Sequence, residues 1–325
     1  NEPEQNQIGG AFRYMTARFA GIPFGGNTVY FQKTSSSVVL DPNEATYHDE
    51  ITSGTQIIHF FGHSTSNIQD VAIREPFEYN SFGRYPLMIA MGCYGGDFTV
   101  GSDASGASFG ERWVREKGRG SIGYVGNSSA GYLDPLQKYG RVFYDKAYGG
   151  ESGQPIGILL QNTLSLYADS LRGIFFTNHG RQLNLQGDPA VKLYLPKLPD
   201  LEITGSSIFF NPENFSAQDD SFRISIIVEN KGLVLRDSFT TTIRHRLPDG
   251  SVFEHPSQRI PVVGYKDTIS VSLINPAGDA LTGQNFFEVR IDSEGEITEF
   301  NESNNFVALD IIVPGNIPAI LSPRE

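Results

Sequence analysis

The sequence predicts two folds in succession: a doubly wound α/β domain with a mostly parallel sheet over residues 1–195, then an all-β sandwich over residues 200–313, with 314–325 as a linker. Three observations carry this. Up to about residue 195, short and nearly continuous apolar runs alternate with longer amphipathic stretches, the pattern of strands covered on both faces by their connecting helices. From about residue 197 the period switches to two and no helical stretch recurs. Between the halves stands "PKLPD" (196–200), a proline-marked junction.

In the first half the strand candidates are "NTVYFQ" (27–32), "TQIIHFF" (55–61), "PLMIAMG" (86–92) and "GSIGYVG" (120–126). The helical candidates are "GGAFRYMTARFAG", "ASFGERWVREKG", "PLQKYGRVFYDKAYGG" and "GILLQNTLSLYADSL". Strand followed by helix, repeated, reads as a parallel sheet. In the second half "DSFRISIIVENKG" puts Phe222, Ile224, Ile226 and Val228 on one face. "DSFTTTIRHRLPDGSVFEH" reads as two strands joined by a Pro-Asp-Gly turn. "DTISVSLIN", "QNFFEVRIDSEGEI" and "NFVALDIIV" continue the alternation to residue 313. About seven short strands without a helix read as a sandwich.

Composition narrows the function. Hydrophobic residues make up 39% and charged residues 19% of the 325, which suits a chain that folds around a core. A formal charge of −12 with scattered basic residues argues against nucleic acid or an anionic membrane as the main partner. No apolar run approaches the ~20 residues of a membrane-spanning helix. The opening "NEPEQNQIGG" lacks the charged-then-apolar pattern of a signal peptide.

Two residues stand out. His63 follows the strand candidate 55–61, and Cys93, the single cysteine, follows 86–92. In an open parallel sheet ligands bind outside the carboxyl ends of the strands, so neighbouring strands would bring both side chains to one rim. An imidazole beside a thiol stabilises the thiolate or takes its proton. Gly92, Gly95 and Gly96 let the backbone turn sharply and let a substrate approach. The N–H groups of Cys93 and Ser64 could face a developing oxyanion. Residue type alone leaves a second reading open, in which Cys93 is a buried small hydrophobe and His63 a loop histidine.

"FFGHST" and "MGCYGGDF" resemble the His and Cys motifs of gingipain-type, caspase-like cysteine peptidases. Around the thiol the family's Cys-x-x-Gly-Asp-Phe stands here as Cys93, Gly96, Asp97 and Phe98. The similarity runs on through the helix bearing Glu111 to "LQGDPAVKLYL", and covers roughly residues 10–195. It implies a caspase-like fold and a secreted cysteine endopeptidase. His63 would be the base and Cys93 the nucleophile forming an acyl-thioester, with no cofactor and with a protein or peptide substrate. Such proteins are exported by the type IX route, which implies a secreted or cell-surface location. Two departures are visible. Ser64 stands where the family usually has glycine. The family also carries strands and a His-orienting carboxylate upstream of the first helix, and this chain is expected to begin after them, which allows for an upstream-domain partner. A rival reading is a catalytically degenerate peptidase fold kept as a surface binding or adhesion module.

Asp97 is a candidate substrate contact or a cap for the turn after the thiol. Asn127 and Ser128, in "GNSSAGY", are candidate contacts to substrate backbone or plain loop residues. His59 and His63 have a zinc-like spacing of four, but on a strand that spacing separates them, so no metal site is expected. In the second half, "ITEFNESNN" (297–305) resembles the signature of CARDB-type domains, immunoglobulin-like modules of bacterial surface proteins. A structural calcium ion among the acidic loops there lacks any regular ligand spacing to support it.

Overall fold

In the computed structural model, which describes residues 2–33, 44–71, 73–99, 106–168, 173–234, 237–261 and 263–315, contacts divide the chain into two units. Residues 1–18 and 28–195 form one; residues 19–27 and 196–325 form the other.

The first unit contains helices α1 (Glu2–Phe19), α2 (Glu44–Ser53), α3 (Phe109–Arg115), α4 (Leu133–Ala147), α5 (Ile156–Ala168) and α6 (Gly173–Gln182). Its strands are β1 (Ile57–Phe61), β2 (Leu87–Met91), β3 (Gly123–Asn127) and β4 (Leu183–Gly187), hydrogen-bonded in that order. The pairs β1–β2 and β2–β3 are parallel, with Phe61 opposite Met91 and Ala90 opposite Gly126, while β4 runs antiparallel to β3. Every residue of β2 is buried, which is why its sequence is continuously apolar. On one face Phe60, Met88, Ala90 and Tyr124 pack with Tyr47 and Ile51 of α2 and with Phe109 and Trp113 of α3. On the other, His59 meets Phe12 of α1 at 5.1 Å and stacks on Tyr144 of α4 at 5.7 Å. Helices therefore cover both faces, as a doubly wound fold requires.

Four features of this unit differ from the sequence expectation, two of them the helices α2 and α6, which no expected helical stretch covers. Residues 27–32 form no strand; their aromatic rings are taken up by helices instead, Tyr30 against Phe12 at 5.5 Å and Phe31 against Tyr47 at 4.5 Å. The closing segment supplies β4, where Leu183 and Leu185 alternate with Asn184 and Gln186, without the apolar continuity that marks β2. Helix α3 starts where its sequence says it should: Ser108 caps it and receives the Glu111 carboxylate on its own N–H at 2.7 Å.

The second unit is all-β: β5 (Leu201–Glu202), β6 (Ile208–Asn211), β7 (Ser221–Asn230), β8 (Phe239–Arg246), β9 (Val252–Glu254), β10 (Gln258–Ile260), β11 (Lys266–Ile274), β12 (Gly283–Arg290) and β13 (Phe306–Val313). One sheet runs β10-β8-β12-β13 with β9 on β8; the other runs β11-β7-β5 with β6 on β7. All these pairings are antiparallel. Phe222, Ile224, Ile226 and Val228 are all buried in the core with Phe239, Ile243, Phe287 and Val289, so the period-two alternation of β7 is its burial pattern. At the Pro-Asp-Gly turn Gly250 has φ 86, a left-handed conformation that glycine adopts freely.

The acidic signature between β12 and β13 works as bracing. Asp292 accepts the Glu296 and Ile297 N–H groups at 2.9 and 3.1 Å. Glu299, buried, accepts the Leu201 N–H and the Asn305 amide, and Glu302 accepts the Glu299 N–H at 2.9 Å. Burial pushes the Glu299 carboxyl up to about 7. Of the expected linker 314–325, all but the first two residues lie outside the described residues.

Candidate active site

Strand register builds the rim. Phe61 and Met91 are the last paired residues of two adjacent parallel strands, and His63 and Cys93 each stand two residues beyond them. Neighbouring strands lie ~4.8 Å apart, so the two residues leave the sheet side by side at its carboxyl end. The Gly62 N–H donates to the Met91 carbonyl at 3.1 Å, and the Ser64 hydroxyl donates to the Cys93 carbonyl at 2.7 Å. The serine standing at the family's glycine position thus turns its side chain into the thiol's own backbone.

The loop carrying His63 is a small closed structure. Thr65 N–H donates to Ile68 O and Asp70 N–H to His63 O, at 2.8 and 2.9 Å, which fixes the backbone on either side of Ser64. Asp70 also forms an ion pair with Lys33. The Phe109 N–H at the start of α3 reaches Ser66 O at 2.8 Å. His63 itself is exposed. Among the described residues no carboxylate is hydrogen-bonded to it, and neither the Ser64 nor the Cys93 N–H donates a hydrogen bond to the protein.

Three loops converge on the half-buried Cys93. The Tyr94 and Gly96 N–H groups donate to Ser129 O and Asn127 O, both at 2.9 Å. The Gly131 N–H points at Cys93 Sγ from 3.4 Å, with Gly131 O 3.7 Å away on the same sulfur. The approach depends on glycine: a Cβ on Gly96 would stand 2.2 Å from Gly126 O, and one on Gly131 would stand 2.7 Å from Gly92 O. Tyr94 adopts φ 57, unusual for a residue with a side chain, at the tip of the thiol loop.

The remaining candidates fall in different places. Asp97 is buried, and its Oδ1 accepts the Thr99 N–H and hydroxyl at 2.9 and 2.7 Å, a local turn brace. Asn127 is fully buried, and its amide donates to Ser129 O at 2.8 Å, so it shapes the loop from beneath. Ser128, half-buried, is anchored through its N–H on Gln182 O at 2.8 Å. His59 lies under α1 and α4 rather than at the rim, and burial pushes its imidazole down to about 3. Gly131 was missed by residue-type reasoning; its signal was only a glycine shortly after a strand on the same rim.

The sequence profile of peptidase family C25 matches residues 13–194, more than half of the chain. The chain belongs to this family. The CARDB profile matches residues 198–308. No curated protein matches the chain. Among solved structures it is similar to the complex of Porphyromonas gingivalis RgpB pro- and mature domains, with 12% identity and a TM-score of 0.42 over 83% of this chain and 57% of that one. The Arg-specific cysteine proteinase gingipain R matches with 13% identity and a TM-score of 0.42, over 83% of this chain and 56% of that one. The chain thus spans a little over half the length of these gingipain structures. A CARDB domain from Pyrococcus furiosus, in complex with di-metal ions, matches with 17% identity and a TM-score of 0.26 over 38% of this chain and 100% of that one. No helix of the described residues is long and apolar enough to cross a membrane.

Proposed function

We propose that this chain is a cysteine endopeptidase acting through Cys93 and His63. The observation that carries the reading is the register: both residues stand two positions past the paired ends of adjacent parallel strands. In the reaction His63 takes the thiol proton as Cys93 Sγ attacks the scissile carbonyl. The Ser64 and Cys93 N–H groups, free of protein acceptors among the described residues, receive the oxyanion. Collapse expels the amine, which takes its proton from His63, and leaves an acyl-thioester. Water, deprotonated by His63, then releases the carboxylate and restores the thiol.

Membership in a peptidase family supports a protein or peptide substrate, and the CARDB match supports a cell-surface setting; secretion by the type IX route is part of the proposal and rests on the resemblance to gingipain-type peptidases alone. In that setting the second unit serves as a spacer or adhesion module. The test is cleavage of a denatured protein substrate by the full chain, read by mass spectrometry of the products. Cys93→Ala and His63→Ala should each lower kcat by roughly a thousandfold. Intact substrate after prolonged incubation with the wild-type chain would instead favour the binding-module reading.

A further inference from the structure

Beneath the rim, the loops of His63 and Cys93 rest on a polar layer inside an otherwise apolar core. Tyr124 of β3 is fully buried in the cluster that holds Phe60, Ala90, Phe109 and Trp113, yet its hydroxyl accepts the Gln69 side-chain amide at 3.2 Å. Gln69 is itself buried and belongs to the loop of His63, where its backbone bridges antiparallel to Ser64. The same tyrosine hydroxyl lies under the thiol loop: a Cβ on Gly95 would stand 3.4 Å from it. Gln186, paired opposite Tyr124 on β4, donates its amide to Gly96 O of that loop at 3.1 Å.

This layer lowers stability. The Oε1 atoms of Gln69 and Gln186 are buried and have no hydrogen-bond partner among the described residues, and a buried acceptor left unsatisfied carries its full desolvation penalty. Apolar side chains of similar size would pack here at less cost. Buried polar contacts in such a place select one arrangement of the chain over its neighbours.

What they select is how the two loops meet. The bonds from Thr65 N–H to Ile68 O and from Asp70 N–H to His63 O fix the shape of the His63 loop itself, and the Asp70–Lys33 ion pair holds its outer side. Past the Gly62–Met91 bond at the strand ends, the Ser64 hydroxyl on Cys93 O joins the two loops directly. One hydrogen bond is a pivot. The Gln69–Tyr124 contact under Gly95 adds a second point, and two points fix the tilt of the loop that carries His63. That tilt matters because a general base must lie within hydrogen-bond reach of the proton it takes. Among the described residues no carboxylate orients the His63 ring, so its direction rests on its loop.

Resting on the peptidase reading above, we propose that Gln69 and Tyr124 are positioning residues: their buried hydrogen bond under the thiol loop sets the alignment of His63 with Cys93. The test uses the full chain, with cleavage of a fluorophore-labelled denatured protein and iodoacetamide alkylation of Cys93 at pH 6.5 as readouts. Tyr124→Phe and Gln69→Leu should each lower kcat at least about tenfold, with KM changed by less than about twofold. Each also orphans one buried partner and should unfold at lower urea concentration. The double variant, with both partners apolar, should regain much of that midpoint and yet stay slow. Alkylation separates alignment from packing. Tyr124→Phe should lose most of the acceleration that His63 confers, and adding it to His63→Ala should change nothing further. Variants that keep the wild-type kcat, a double variant that recovers activity together with stability, or a further fall in the His63→Ala background would overturn the proposal and leave the peptidase reading standing. If the wild-type chain cuts nothing and its alkylation is indifferent to His63, the peptidase reading falls and the positioning role falls with it.

Discussion

A Cβ at Gly92 would stand 2.2 Å from Ser64 Oγ and 2.7 Å from the Gly62 carbonyl, so the approach of the two rim loops depends on a side chain that is not there. Gly92→Ala should destabilise the first unit by about 1–3 kcal/mol, the usual cost of overpacking, with a parallel loss of Cys93 reactivity. Removing the hydroxyl in Ser64→Gly should recover only part of it, because the Gly62 carbonyl is backbone and cannot yield. Denaturant unfolding of the two single variants and the double variant measures this coupling. Full recovery would mean that the side-chain clash alone was at fault. At this scale the sequence was partly legible. Cys93 and His63 could be singled out by their places after apolar runs, and Ser64 by standing at the family's glycine. That Ser64 would donate to Cys93 O, or that Asn127 would be buried, depends on loop paths that no periodicity encodes.

The elements show where sequence pattern and structure part. Strands buried on two faces or alternating on one were readable, because burial imposes those patterns directly: β2 and β7 are the examples. Residues 27–32 carried a strand's composition and yet pack their aromatics on helices, since composition specifies burial but not a pairing partner. The sandwich carries a pH signature of two opposing parts. Burial pushes the His255 imidazole down to about 4 and lowers His245, which stacks on it at 5.7 Å. As pH falls from about 6.5 toward 4 the unfolded chain takes up protons that these buried rings refuse, so stability is lost. Glu299, raised to about 7, has the opposite sign: its contribution is full below the ordinary carboxylate range and lost as pH rises to about 7. Glu299→Gln removes the opposing part. Hydrogen exchange at the β7 amides should therefore show a steeper acid destabilisation between about pH 6.5 and 4 in the variant than in the wild type. An equal or shallower slope would contradict this account of Glu299.

On the scale of the whole molecule, a doubly wound peptidase unit and an immunoglobulin-like unit stand in one chain, and the switch of sequence period near residue 197 announces both. The net charge of −12 sets a general expectation: the chain should pass unretained over a polyanion column at about 0.1 M salt, since like charges repel at that ionic strength. Retention would reveal a basic patch that the composition conceals. The central claim is narrower, and rests on His63 and Cys93 acting as a pair. The measurement that tests it most directly is the rate at which iodoacetamide alkylates Cys93 at pH 6.5, in the wild-type chain and in His63→Ala. A functioning pair predicts fast alkylation in the wild type and at least a tenfold fall in the variant, because the thiolate, not the thiol, reacts. Slow alkylation that is indifferent to His63 would contradict the pairing and make Cys93 a structural residue of the rim.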